Sequence, residues 1–113
     1  MQLEYTTILV KDMDESLNFY KKTLGFEIEN QLNLPDKTII FLKDKSGAGI
    51  ELIKEKNPET GLFGIVFKVN DVKREVQIMK EDNPDLEIVI EQTPNNTLAF
   101  TKDPNGVNII LSQ

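Results

Sequence analysis

The strongest constraint on this chain is that it repeats itself. The segment TIIFLKDKSGAGIELIK (Thr38–Lys54) lies over TLAFTKDPNGVNIILSQ (Thr97–Gln113) at an offset of 59 residues, with seven of 17 positions identical. The same offset carries Val10 onto Val69, Asp12 onto Asp71, and the apolar set Met13, Leu17, Tyr20 onto Val72, Val76, Met79. One register kept from start to finish argues for two copies of one module. The reading is a single domain over 1–113, with module 1 at about 1–56, module 2 at about 61–113, and a junction near KNPETG.

Each copy has a local grammar. LEYTTILVK is rich in β-branched residues and extended. Asp12 then stands at a helix start, with Glu15 three residues on, as in a capping box. Met13, Leu17, Tyr20 and Leu24 recur on one helical face, and Gly25 follows as the stop. Strands are predicted near Phe26–Asn33, Lys37–Lys43 and Gly49–Glu55, separated by the turns LPD and DKSG. The second copy predicts a strand Leu62–Val69, a helix Val72–Asp82, and strands near Leu86–Gln92, Thr97–Thr101 and Val107–Ser112. DPNG before the last strand is a strong hairpin signal, because Pro presets φ and Gly accepts a positive one.

The order strand, helix, strand, strand, strand, given twice, supplies one helix per four strands. A single helix covers one face of a sheet. The other face must line a hollow, meet a partner, or do both, and function belongs there. Strand alternation sorts the side chains. Ile8, Val10, Ile50 and Leu52 fall under the helix, which leaves Tyr5, Thr7, Leu9, Glu51 and Ile53 on the uncovered face. The repeat offset puts Gly64 where Tyr5 is and Ile110 where Glu51 is. The facing of Phe41 and Phe100 stays open, since a bulge would reverse it. Phe19, Phe26, Phe63 and Phe67 read as packing residues, with Phe63 placed to touch a ligand beside Gly64.

Composition excludes more than it suggests. The net charge of −6 argues against nucleic acid, whose phosphates need a basic patch. With no Cys there is no disulfide, thiol nucleophile or thiolate metal site, and with no His there is no imidazole base. No apolar run approaches the roughly 20 residues of a membrane helix. The start MQLEYTTILV reads as a strand rather than a signal peptide, so a cytoplasmic location is expected.

The string TTILVKDMDESLNFYKKTLGFE, with DPNGVNIILSQ at the end, resembles the vicinal oxygen chelate superfamily. That group includes glyoxalase I, bleomycin-resistance proteins, fosfomycin-resistance enzymes and extradiol dioxygenases. The resemblance covers nearly the whole chain and implies an α+β fold. Two tandem βαβββ modules would form curved mixed sheets around a cavity, with helices on the outer face. It also implies where a divalent ion would sit in metal-using members, held by His or Gln on the first strand of each module and Glu on the fourth. Those places are Tyr5, Gly64, Glu51 and Ile110 here, and Glu51 alone matches. One carboxylate does not make the three or more donors such an ion wants.

The expected function is therefore a metal-free small-molecule-binding protein with no cofactor and no catalytic residue, akin to drug-sequestering resistance proteins and homodimeric as those commonly are. The expected ligand-binding residues are Tyr5, Thr7, Leu9, Glu51, Ile53, Phe63, Gly64 and Ile110. Glu51 either stands wet at the cavity mouth or accepts hydrogen bonds from a cationic or amine-bearing ligand. Two other readings stand beside this one. The chain is a lyase, isomerase or dioxygenase-like enzyme with an atypical or absent metal site, or a structural or regulatory module whose hollow is filled.

Overall fold

The computed structural model describes residues 1–56, 59–104 and 106–113; Asn57 and Pro58 of the junction and Asn105 of the DPNG turn lie outside them. The chain is α+β, and its order is the predicted one. β1 (Gln2–Leu9), α1 (Met13–Asn18), a π-helical turn (Phe19–Thr23), β2 (Glu27–Asn33), β3 (Lys37–Lys43) and β4 (Gly49–Glu55) make the first module. β5 (Gly61–Lys68), α2 (Val72–Asp82), β6 (Val89–Gln92), β7 (Thr97–Lys102) and β8 (Asn108–Ser112) make the second. By compactness the chain divides into Tyr5–Phe63 and a unit of Gly64–Gln113 with Met1–Glu4.

The two strand orders correspond. In the first module it is β2-β3-β4-β1, with β1 and β4 parallel and the other pairs antiparallel. In the second it is β5-β8-β7-β6, with β5 and β8 parallel. Both sheets are thus mixed, as the duplicated module requires.

Each module buries its own core beneath its helix. Val10, Ile40, Leu42 and Leu52 form the first, packed by Ile8, Met13, Leu17, Tyr20, Phe26 and Ile50. Val69, Val72, Val76, Ala99 and Leu111 form the second, packed by Phe67, Met79, Ile88 and Ile109. Met13, Leu17 and Tyr20 of the first predicted stripe, and Val72, Val76 and Met79 of the second, are therefore packed. Both helices start on an aspartate: Asp12 Oδ1 accepts from the Glu15 backbone N–H at 3.0 Å, and Asp71 Oδ1 from the Arg74 N–H at 3.1 Å. The two aspartates are spent as caps.

Three expectations are corrected. Leu24 was placed on the buried stripe but is 51% exposed. The chain leaves α1 through a π turn, with the Leu24 N–H donating to the Phe19 carbonyl. A wider turn uses more residues per revolution, so Leu24 lags behind the stripe. Phe26 takes its place, meeting the Tyr20 ring edge-on at 6.0 Å. The same widening leaves Phe19 48% exposed rather than packed. The strand predicted from Leu86 begins only at Val89. Thr101 Oγ1 donates to the Glu87 carbonyl at 2.8 Å, so a side chain meets the backbone there before the ladder starts.

The two Gly-closed turns are near copies. The Asp44 N–H donates to the Ala48 carbonyl and the Asp103 N–H to the Val107 carbonyl, both at 2.9 Å. Each aspartate also accepts at Oδ1 from a backbone N–H four residues on, Ala48 or Val107. Gly47 and Gly106 take φ of 91° and 85°, which a side chain disfavours.

The Ser46 hydroxyl, donating to Asp44 Oδ1 at 2.6 Å, holds the Asp44 carboxyl below its ordinary value, helped by the N–H groups of Ala48, Ser46 and Gly47 against some desolvation. A lowered folded-state pKa gives a contribution that is complete above the ordinary 3.8 and lost as pH falls through the folded value. An NMR titration is expected to find Asp44 below 3.8, and Ser46→Ala to bring it back toward that value.

Candidate functional site

The face of the first sheet away from α1 is organised in rows. β1 and β4 run parallel with Tyr5 opposite Gly49, Thr7 opposite Glu51 and Leu9 opposite Ile53. β3 continues the rows in the other direction, with Lys43 opposite Gly49, Phe41 opposite Glu51 and Ile39 opposite Ile53. Leu9, Ile53 and Ile39 make an apolar row at one end. Thr7, Glu51 and Phe41 make the middle row. Tyr5 and Lys43 close the other end. The register settles Phe41, which faces with Glu51, and likewise puts Phe100 opposite Ile110 in the second module.

Glu51 is held rather than loose. Thr7, 2% exposed, donates its hydroxyl to Glu51 Oε1 at 2.7 Å. A buried hydroxyl needs a partner, and a half-buried carboxylate needs a donor; here each satisfies the other. Thr7 was expected on this face, and its part in fixing Glu51 follows only from the register that aligns the two strands.

Tyr5 packs its ring on Phe41, with centroids 5.0 Å apart and planes tilted by 53°. Its hydroxyl donates to Glu29 Oε1 at 3.3 Å. Glu29 Oε2 lies 3.3 Å from Lys43 Nζ, and that ammonium sits 5.9 Å from the centre of the Tyr5 ring, within cation–π range. Glu29 and Lys43 were missed by sequence reasoning. Glu27 lies opposite Lys43, and Glu29, two residues on, returns to the same face beside a one-residue shift of β2 against β3 between Ile28 and Asn30.

The matching positions of the second module are filled by carbon. Gly64 pairs with Asn108 and Val66 with Ile110 on the parallel strands β5 and β8. Ile110 is buried, and its Cδ1 lies 3.0 Å from where a Cβ on Gly64 would stand. Phe63, proposed as a ligand contact, is 39% exposed at the preceding position. Of the eight predicted residues, Tyr5, Thr7, Leu9, Glu51 and Ile53 share one face, while Gly64 and Ile110 pack on each other within the second unit.

The metal implied by the family resemblance does not fit these residues. Gly64 and Ile110 offer no donor, and backbone atoms occupy the space a side chain at Gly64 would enter. Tyr5 and Glu51 leave two oxygen-bearing groups, below the donor count of a transition-metal site. Among the described residues no cluster of three His, Cys, Asp or Glu is placed to hold an ion. A separate open groove of about 390 Å³ runs along α1 and the π turn, lined by Glu15, Ser16, Asn18, Phe19, Tyr20 and Thr23. It follows from the π turn that exposes Phe19, which residue periodicity does not signal.

Residues 2–111 match the family profile described as Glyoxalase/Bleomycin resistance protein/Dioxygenase superfamily. No curated protein matches the sequence. Among solved structures, a hypothetical protein from Bacillus halodurans C-125 superposes with a TM-score of 0.82 at 20% identity, covering 98% of this chain and 92% of its own. Methylmalonyl-CoA epimerase from Mycobacterium tuberculosis gives 0.80 at 18% identity, covering 98% and 86%. A variant of the Streptomyces coelicolor methylmalonyl-CoA epimerase in complex with 2-nitronate-propionyl-CoA gives 0.77 at 16% identity, covering 99% and 96%. At these identities the likeness is one of fold.

Proposed function

Given that this chain belongs to the glyoxalase/bleomycin resistance protein/dioxygenase superfamily, we propose that it is a metal-free small-molecule-binding protein that sequesters a drug or metabolite. The observation that carries this is the Thr7–Glu51 hydrogen bond, which fixes one carboxylate on the uncovered face of the first module. Such a carboxylate is suited to receive an amine or other cationic group. The Tyr5–Phe41 pair beside it offers aromatic surface to the ligand body. Leu9 and Ile53 continue that surface with aliphatic carbon. Phe63 is a further proposed contact.

The protein acts as a homodimer in the cytoplasm on this reading. Ile28, Leu32, Val89 and Ile90, on the outer strands of the two sheets, are all at least 40% exposed, and such edges favour a two-fold contact. Among the described residues no helix is long and apolar enough to cross a membrane. Protein purified without chelator is expected to carry no stoichiometric metal and to sediment as a species heavier than the 12.9 kDa chain. A thermal-shift screen of amine-bearing small molecules is expected to find stabilising ligands. Tightly held metal at one ion per chain would overturn the reading.

A second reading, an isomerase, is favoured by the epimerases among the fold's neighbours. Epimerisation moves a proton at carbon, and a carboxylate such as Glu51 is able to take one. The chemistry of a neighbour does not carry over at such identities. For that reason binding is preferred to catalysis.

A further inference from the structure

Resting on the small-molecule-binding reading above, we infer that the ligand is a zwitterion, with an ammonium group at Glu51 and a carboxylate-type oxyanion at Lys43, bridged across the Tyr5–Phe41 rings. The rows of the first sheet carry this. Glu51 stands in the middle row opposite Phe41, and Lys43 in the next row opposite Gly49. Two residues along a strand separate those rows, a distance of about 7 Å. Between them the two rings, 5.0 Å apart, form an apolar floor. A negative group, an aromatic floor and a positive group in line complement a ligand with the opposite order of charges.

Lys43 is held in position for this. Glu29 Oε2 at 3.3 Å and the Tyr5 ring at 5.9 Å fix its ammonium, while Glu29 is itself held by the Tyr5 hydroxyl. An ammonium has three N–H donors, and one carboxylate oxygen does not exhaust them. The ion pair is also exposed, with side chains 37% and 43% accessible, so an arriving oxyanion meets a weak competitor. Thr7 does for Glu51 what Glu29 does for Lys43, each charge being bonded to a different side chain.

The test uses three probes of one shape: para-(aminomethyl)benzoate, benzylamine and benzoate. Binding to the full chain is followed by NMR shifts at Tyr5, Thr7 and Phe41. The zwitterion is expected to bind about fivefold tighter than benzylamine, the gain of one exposed ion pair, and benzoate weakest. Lys43→Gln is expected to erase the zwitterion's advantage over benzylamine, whereas Glu51→Gln weakens both amines. Equal binding of zwitterion and benzylamine, in wild type and Lys43→Gln alike, would overturn the zwitterion while leaving an amine-binding protein intact. Benzoate binding as well as the zwitterion, or no probe perturbing these residues, would also overturn it; the metal analysis and the wider ligand screen then decide the broader reading separately.

Discussion

Gly64→Ala is expected to destabilise the protein by about 3 kcal/mol, close to the upper range for forcing carbon into a packed site. A Cβ there would lie 2.6 Å from the Asn108 carbonyl oxygen, 2.9 Å from the Asn108 Cβ and 3.0 Å from Ile110 Cδ1. The first contact decides the effect. A side-chain terminus swings away at small cost, but that oxygen belongs to the strand paired with Gly64 in the parallel ladder of β5 and β8. Moving it disturbs the ladder on which the second module is built. Thermal unfolding is expected to fall by roughly 10 °C or more. Adding Ile110→Val to Gly64→Ala relieves only the third contact and is expected not to rescue it. A Gly64→Ala protein as stable as the wild type would show that the strands approach less closely than described. The same geometry explains why a family-type ligand is not restored by one substitution at this position: any side chain meets the Asn108 backbone before it reaches an ion.

Leu52→Ala should have a comparable effect, about 3 kcal/mol, by the opposite mechanism of removing carbon. Leu52 is fully buried, pairs in register with Ile40, and belongs to the core packed by Leu17 and Tyr20. Its loss leaves a void that the surrounding sheet and helix fill only in part. In urea the midpoint is expected to drop with the slope unchanged, as for a change in stability alone. Leu24→Ala is the control. Helical spacing alone would rank Leu24 with Leu17, yet the π turn exposes it, and its replacement is expected to change stability by less than about 0.5 kcal/mol. A large effect at Leu24 with a small one at Leu52 would mean that the stripe runs as the spacing suggested.

Leu17 and Leu52 were legible because period and alternation describe single elements, and a core that covers one face of each element obeys them. Leu24 and Phe19 were misplaced because a π turn changes the period without a distinct residue signature. Glu29 and Lys43 were not singled out because their contacts, with each other and with Tyr5, join different strands. Glu51 was singled out as a carboxylate within an apolar strand. Its donor, Thr7, lies 44 residues away and is identified as a partner only when β1 and β4 are set side by side.

The sequence by itself determined the duplicated module, the order of its elements, the helix caps, the glycine-closed turns and which side of β1 and β4 is core, because these follow from local periodicity and from one repeat offset. Tertiary structure decided which side chains from different strands meet: Thr7 with Glu51, Tyr5 with Glu29 and Lys43, Ile110 against Gly64. Strand register and a one-residue bulge set those meetings. Both are fixed by the packing of whole sheets, which no short stretch of sequence encodes.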